Sequence, residues 1–138
     1  FIINKSWYLV DLPGYGYARV SKKTKKTFQK FITDYFEKRS QLVLAFVLID
    51  CRHEPQPVDI DFMRYLAQLD IPFQIIFTKA DKLKPKVLAT NLEKYTQKIL
   101  ESWEEMPEFY VTSSSKKQGK EIILDNIKTI NQQLKDIL

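Results

Sequence analysis

What most limits the architecture of this chain is an alternation: short apolar runs of strand length are separated by stretches whose apolar residues recur at helical spacing. Residues 7–10, 42–49, 73–77 and 109–111 are short, rich in β-branched or aromatic side chains, and bounded by Asp, Pro or Ser, a composition suited to a buried, pleated surface. Residues 1–3 are a candidate edge strand leading through Asn4-Lys5-Ser6 into the first of these runs. Between the runs, Phe28, Phe31, Ile32, Tyr35 and Phe36 fall on one face of a helix. Leu88, Leu92, Tyr95, Ile99 and Trp103 do the same, as do Ile123, Ile127, Ile130, Leu134 and Ile137, all at the 3.6-residue period. A shorter helix over about 58–69 uses Phe62, Met63 and Leu66. Near-continuous apolar strands alternating with amphipathic helices are covered on both faces, which predicts a three-layer, doubly wound α/β domain with a mostly parallel sheet.

The 138 residues suffice for one such domain, since a chain of this length buries roughly two-thirds of its unfolded surface. A composition 44% hydrophobic and 28% charged excludes disorder. The single Cys and single His exclude an internal disulfide framework and a Cys/His zinc cluster, and predict a reducing compartment, the cytoplasm. The longest apolar run, 42–49, has eight residues, against the roughly 18–20 that a membrane helix needs. No membrane partner is therefore expected.

In doubly wound folds, ligands bind where the strands end. Asp11-Leu12-Pro13-Gly14 follows the first run, Thr78-Lys79-Ala80-Asp81 the third, and Thr112-Ser113-Ser114-Ser115 the last. Asp11 can hold a Mg²⁺-bound water, and the Gly14 N–H can approach a terminal phosphate because no Cβ blocks it. As a bare pattern, the same four residues also describe a capped turn. Asp81 can accept two hydrogen bonds from the ring N–H and exocyclic amine of guanine, a pattern adenine lacks, while the Lys79 stem lies along the base. The competing reading makes both residues solvated caps of a helix starting near Pro85. Ser113, Ser114 and Ser115 can offer backbone N–H groups to the guanine carbonyl oxygen, with their hydroxyls fixing the loop by local hydrogen bonds, or form no more than a polar loop. It is the conjunction of three motifs in this order, each after a strand, that favours a GTP/GDP site.

Extended to Asp11-Leu12-Pro13-Gly14-Tyr15-Gly16-Tyr17-Ala18, Thr78-Lys79-Ala80-Asp81-Lys82-Leu83 and Ser113-Ser114-Ser115-Lys116-Lys117-Gln118-Gly119, these stretches resemble the EngB family of bacterial GTP-binding proteins over essentially the whole chain. The resemblance implies a Ras-like G domain of the P-loop NTPase type, acting in large ribosomal subunit assembly and required for normal cell division and septation. It carries over Asp11 to Gly14 as the third G motif, Thr78 to Asp81 as the fourth and Thr112 to Ser114 as the fifth, with Mg²⁺ as cofactor and the large subunit or its rRNA as partner of a monomeric protein. Thr78 stands where most GTPases have Asn, as is usual in the family. Tyr15 stands where Ras-like enzymes place the Gln that orients the attacking water, so slow hydrolysis is expected and no catalytic residue is assigned.

The sequence contains no Gly-x-x-x-x-Gly-Lys-Ser/Thr phosphate loop and no switch Thr ahead of residue 7. The resemblance implies that both, with the central first strand, precede Phe1. The expectation is a fragment of a longer protein that folds poorly unless another chain fills the gap.

Charge is unevenly spread. Residues 19–39 hold eight positive and two negative side chains, a net +6 that leaves −1 for the remainder of a chain of net charge +5. Arg19, Lys22, Lys23, Lys25, Lys26 and Lys30 are candidate rRNA contacts through counterion release, against the ordinary reading of a solvated helix face. Cys51 and His53 lack a third orienting group and are set aside as a catalytic pair, while Tyr95 and Trp103 are assigned to packing. Besides a GTPase, two readings stay open: an rRNA-binding factor using the G domain as a nucleotide-gated switch with negligible hydrolysis, and a nucleotide-independent α/β scaffold.

Overall fold

The computed structural model describes residues 1–3, 5, 7–10, 26, 30, 33–35 and 42–137. Asp11, Leu12, Pro13, Gly14, Arg19, Lys22, Lys23 and Lys25, with most of the helix expected over 28–36, lie outside the described residues. The chain divides into two compact units, residues 1–42 and 43–138.

In the first unit, β1 (Ile2–Ile3) and β2 (Trp7–Tyr8) pair antiparallel, Ile2 opposite Tyr8 and Ile3 opposite Trp7. Phe1 extends the hairpin: its carbonyl accepts from the Leu9 N–H at 2.9 Å and its backbone nitrogen donates to the Leu9 carbonyl at 3.0 Å. Lys5 supplies the left-handed turn residue at φ 55°.

The second unit runs β3 (Ala45–Asp50), α1 (Pro57–Gln68), β4 (Phe73–Thr78), a 3₁₀ turn (Ala80–Lys82), α2 (Pro85–Leu100), β5 (Phe109–Val111) and α3 (Lys120–Ile137). Its sheet has the order β3-β4-β5, with both pairings parallel, as helical crossovers between strands require. Pro57 and Pro85 open α1 and α2 at positions whose N–H would have no helical partner. At the far end of α1, Asp70 turns left-handed at φ 56°. Its N–H bonds Ala67 and that of Ile71 bonds Leu66, which satisfies the last carbonyls of the helix.

Most of the core lies on one face of this sheet. Val47 and Ile49 pair in register with Ile75 and Phe77, and all four are buried together with Ile60, Met63 and Leu66 of α1 and Tyr95 and Ile99 of α2. The Phe77 and Tyr95 rings meet edge-on at 5.4 Å. Tyr95 Oη lies 3.3 Å from both the Asp59 carboxylate and the Glu54 carbonyl. Burial first, then the Asp59 charge, pushes that phenol well above its ordinary pKa. Gln74 points to the other face, as a residue three positions from Phe77 must, and there it accepts from Asn126 of α3 at 2.7 Å. Helices thus cover both faces and the unit has three layers, α2, sheet and α3, the doubly wound α/β architecture expected.

Two local expectations differ. Strand β3 starts at Ala45 rather than residue 42, and Leu48, on the α3 side of the sheet, is 59% exposed. Helix α2 ends at Leu100, so Trp103 lies beyond it and packs edge-on against Phe73 from the following turn. Among the described residues, no helix is long and apolar enough to cross a membrane.

Candidate functional site

The parallel register aligns the strand ends. Asp50 ends β3 opposite Thr78, the last residue of β4, and Val111 ends β5 opposite Phe77. Two of the three sequence motifs therefore leave the sheet side by side. The Ala80 N–H donates to the Thr112 carbonyl at 3.0 Å, and the Thr112 N–H and hydroxyl both donate to the Phe77 carbonyl, at 2.8 and 3.0 Å. Thr78 donates through Oγ1 to the Ile49 carbonyl at 3.4 Å. Thr78, Ala80 and Thr112 thus tie the loops to one another, and Ala80 is buried in doing so.

On this frame sits Asp81. The Ser113 hydroxyl donates to its Oδ1 at 2.6 Å and the Ser115 hydroxyl to its Oδ2 at 2.9 Å. These bonds, Ser113 first, lower the pKa of the Asp81 carboxyl below the ordinary range and keep it an acceptor. Ser113 is 1% exposed, and its backbone pairs with Gln118 in both directions, N–H to carbonyl at 3.1 Å and carbonyl to N–H at 2.9 Å. The Ser113 N–H is therefore engaged within the loop and not available to a base carbonyl. The Ser114 N–H makes no hydrogen bond among the described residues. Lys117 and Gly119 close this loop in left-handed conformations, at φ 54° and 84°. An open groove of about 290 Å³ runs along Thr112, Ser113 and Ser114 toward Lys117 and Ile123; neither Asp81 nor Lys79 lines it.

Lys79 is also left-handed, at φ 63°, an uncommon state for a residue with a Cβ. Its ammonium lies 3.2 Å from Asp50 Oδ2, whereas Asp81 is approached by Lys82 at 3.8 Å. Asp50 is further bound by Arg52, Nε to Oδ1 at 3.0 Å and Nη2 to Oδ2 at 2.7 Å. The Arg52 bonds hold the Asp50 carboxyl far below its usual pKa range against a smaller opposing effect of burial, with Lys79 adding to the depression. Asp50 was not marked by the sequence as a site residue. Asp50 ends an apolar run and looked like a boundary; only strand register reveals that it faces Thr78-Lys79.

Cys51 is fully buried, its thiol pKa raised by burial and then by the Asp50 charge. His53 is exposed, with Nε2 at 3.6 Å from Asp50, so the two form no nucleophile and base pair. Of the candidate rRNA contacts, Lys26 and Lys30 are described and both are exposed helical positions. No three His, Cys, Asp or Glu side chains converge on a metal position among the described residues.

The chain is similar to several curated proteins. It is 62% identical over 134 residues to the probable GTP-binding protein EngB of Christiangramia forsetii, covering 97% of this chain and 68% of that protein. Identity is 56% over 135 residues to the protein of the same description from Flavobacterium psychrophilum (97% and 66% covered). For that of Porphyromonas gingivalis it is 55% over 134 residues (97% and 67%). The chain thus spans about two thirds of the length of these relatives. Its fold resembles a crystal structure of a probable GTP-binding protein engB, with a TM-score of 0.63 at 21% identity over 89% of this chain and 77% of that one. No protein-family model matches.

Proposed function

The chain belongs to the EngB family of GTP-binding proteins, and on that footing we propose that its strand ends form the base-reading half of a guanine-nucleotide site. Asp81 accepts the guanine ring N–H and exocyclic amine, the Lys79 stem covers one face of the base, and the Ser114 N–H donates to the base carbonyl. Ser113 acts through its hydroxyl, which aims and ionises Asp81, while Thr78, Ala80 and Thr112 hold the two loops in contact. By their motif, Leu12, Pro13 and Gly14 are assigned to the terminal phosphate, and Asp11 would hold Mg²⁺ through water; bound there, the ion would neutralise phosphate charge. The observation that carries the reading is the Asp81 carboxylate, fixed by two serine hydroxyls at 2.6 and 2.9 Å beside a lysine turned left-handed at φ 63°. A solvated helix cap needs neither arrangement.

The further reading is of a cytoplasmic protein that uses slow GTP hydrolysis, or the nucleotide state alone, to control large ribosomal subunit assembly, with effects on cell division and septation. Two features favour the switch form with negligible hydrolysis: Tyr15 in place of a water-orienting Gln, and the net +6 of residues 19–39. The test is GDP and GTP affinity against ADP and ATP for the full-length gene product, beside Asp81→Asn. An Asn amide donates where the carboxylate accepted, so the variant loses guanine nucleotides by on the order of a hundredfold and gains xanthine nucleotides, whose second carbonyl suits the amide. Equal affinity of the parent for adenine and guanine nucleotides refutes base reading. Turnover with and without large ribosomal subunits then separates a stimulated GTPase from a switch.

A further inference from the structure

Lysine is a poor orienting group on its own, because its long stem samples many rotamers and a ligand that needs one of them bears the ordering cost. In this chain the Lys79 ammonium is held before any ligand arrives. Asp50 Oδ2 lies 3.2 Å from Nζ, and the carboxylate is itself anchored: Arg52 binds both of its oxygens, and the Arg52 N–H donates to Oδ1 at 3.0 Å. The carboxylate is also the less exposed partner, 20% against 52% for the lysine side chain. Strand pairing sets the distance, since Asp50 is in register with Thr78, the residue before Lys79. A second consequence concerns Asp81. Two residues from Lys79, it is the nearest alternative carboxylate along the chain, yet it pairs only distantly with Lys82 and keeps its oxygens for hydrogen bonds.

We propose that Asp50 is a positioning residue for guanine recognition: it draws the Lys79 ammonium to the end of β3, so that the stem is extended where the base plane lies and the cation does not collapse onto Asp81. This rests on the reading of Lys79 and Asp81 as the base-reading pair. Asp50 touches no nucleotide in this scheme and acts only through Lys79. It therefore contributes to affinity for guanine nucleotides and contributes nothing once Lys79 is gone.

The experiment is a double-mutant cycle on the full-length gene product, with Asp50→Asn, Lys79→Met and the pair, read as GDP affinity, with ADP affinity and thermal unfolding followed on each protein. Asp50→Asn weakens GDP by about two- to fivefold, the range for a partly exposed ion pair, and has no effect in the Lys79→Met background. The proposal is overturned if Asp50→Asn costs the same with and without Lys79, or if it costs nothing in the parent, since Asp50 would then serve the loop and not the lysine. Failure of the underlying reading looks different: a parent with no preference for GDP over ADP.

Discussion

At Asp81, two hydroxyls and a carboxylate decide what the residue can do. Both oxygens accept from serines, and the pKa is lowered by Ser113 first and Ser115 second. A carboxyl whose folded pKa is depressed contributes stability that is present above its unfolded pKa and is lost as pH falls through the folded one. Charge at Asp81, and with it the proposed acceptance of both guanine donors, follows the same curve. Ser113→Ala removes the largest cause of the depression and moves the folded pKa back toward the ordinary carboxylate range. The acid loss of GDP binding therefore shifts to higher pH in Ser113→Ala, which isothermal titration with circular dichroism on the same samples checks; an unshifted curve would show that Asp81 ionisation does not depend on Ser113. From the sequence, Thr78 to Asp81 and Thr112 to Ser114 were legible as the residues that follow two strand ends, where the structure has them. The division of labour among them was not, because whether a serine offers its N–H or its hydroxyl depends on what the rest of the loop has already taken up, here Gln118.

For the elements, strand length and helical stripe were good guides where packing agreed with them. Residues 73–77 and 109–111 are strands nearly as read, and the stripe from Leu88 to Ile99 is a helix whose Tyr95 and Ile99 are buried. Trp103 continued the stripe by spacing alone, but the helix stops at Leu100 and the indole reaches Phe73 from the turn. The loop between β5 and α3 depends on Gly119. At φ 84°, a Cβ there would stand 2.8 Å from the Val111 carbonyl oxygen and 2.8 Å from Thr112 Cγ2, and the Gly119 carbonyl accepts from the Ile123 N–H at the start of α3. Gly119→Ala is therefore strained both by its dihedral and by its neighbours, and is expected to cost about 2 kcal/mol. Urea unfolding followed by circular dichroism measures it, and an unchanged midpoint would mean that the loop relaxes freely.

Along the sequence of the whole molecule, charge is unevenly distributed. The excess positive charge is confined to residues 19–39, and a cluster of that kind binds polyanions through counterion release. If large-subunit rRNA is the partner, its binding weakens steeply with salt, and replacing Lys22, Lys23, Lys25 and Lys26 with Gln lowers the slope of log K against log salt by about 3. Filter binding over a salt series reads this directly, and an unaltered slope removes those lysines from the interface. The sequence by itself determined the α/β class, the order of its elements and two of the loops at the strand ends, because periodicity and turn residues are local and survive in one dimension. Only the tertiary structure decided that Asp50 faces Lys79 and that both Asp81 oxygens are held by serines. Each of those is a pairing between residues about thirty positions apart, set by parallel register and loop packing, and the local pattern of either partner does not name the other.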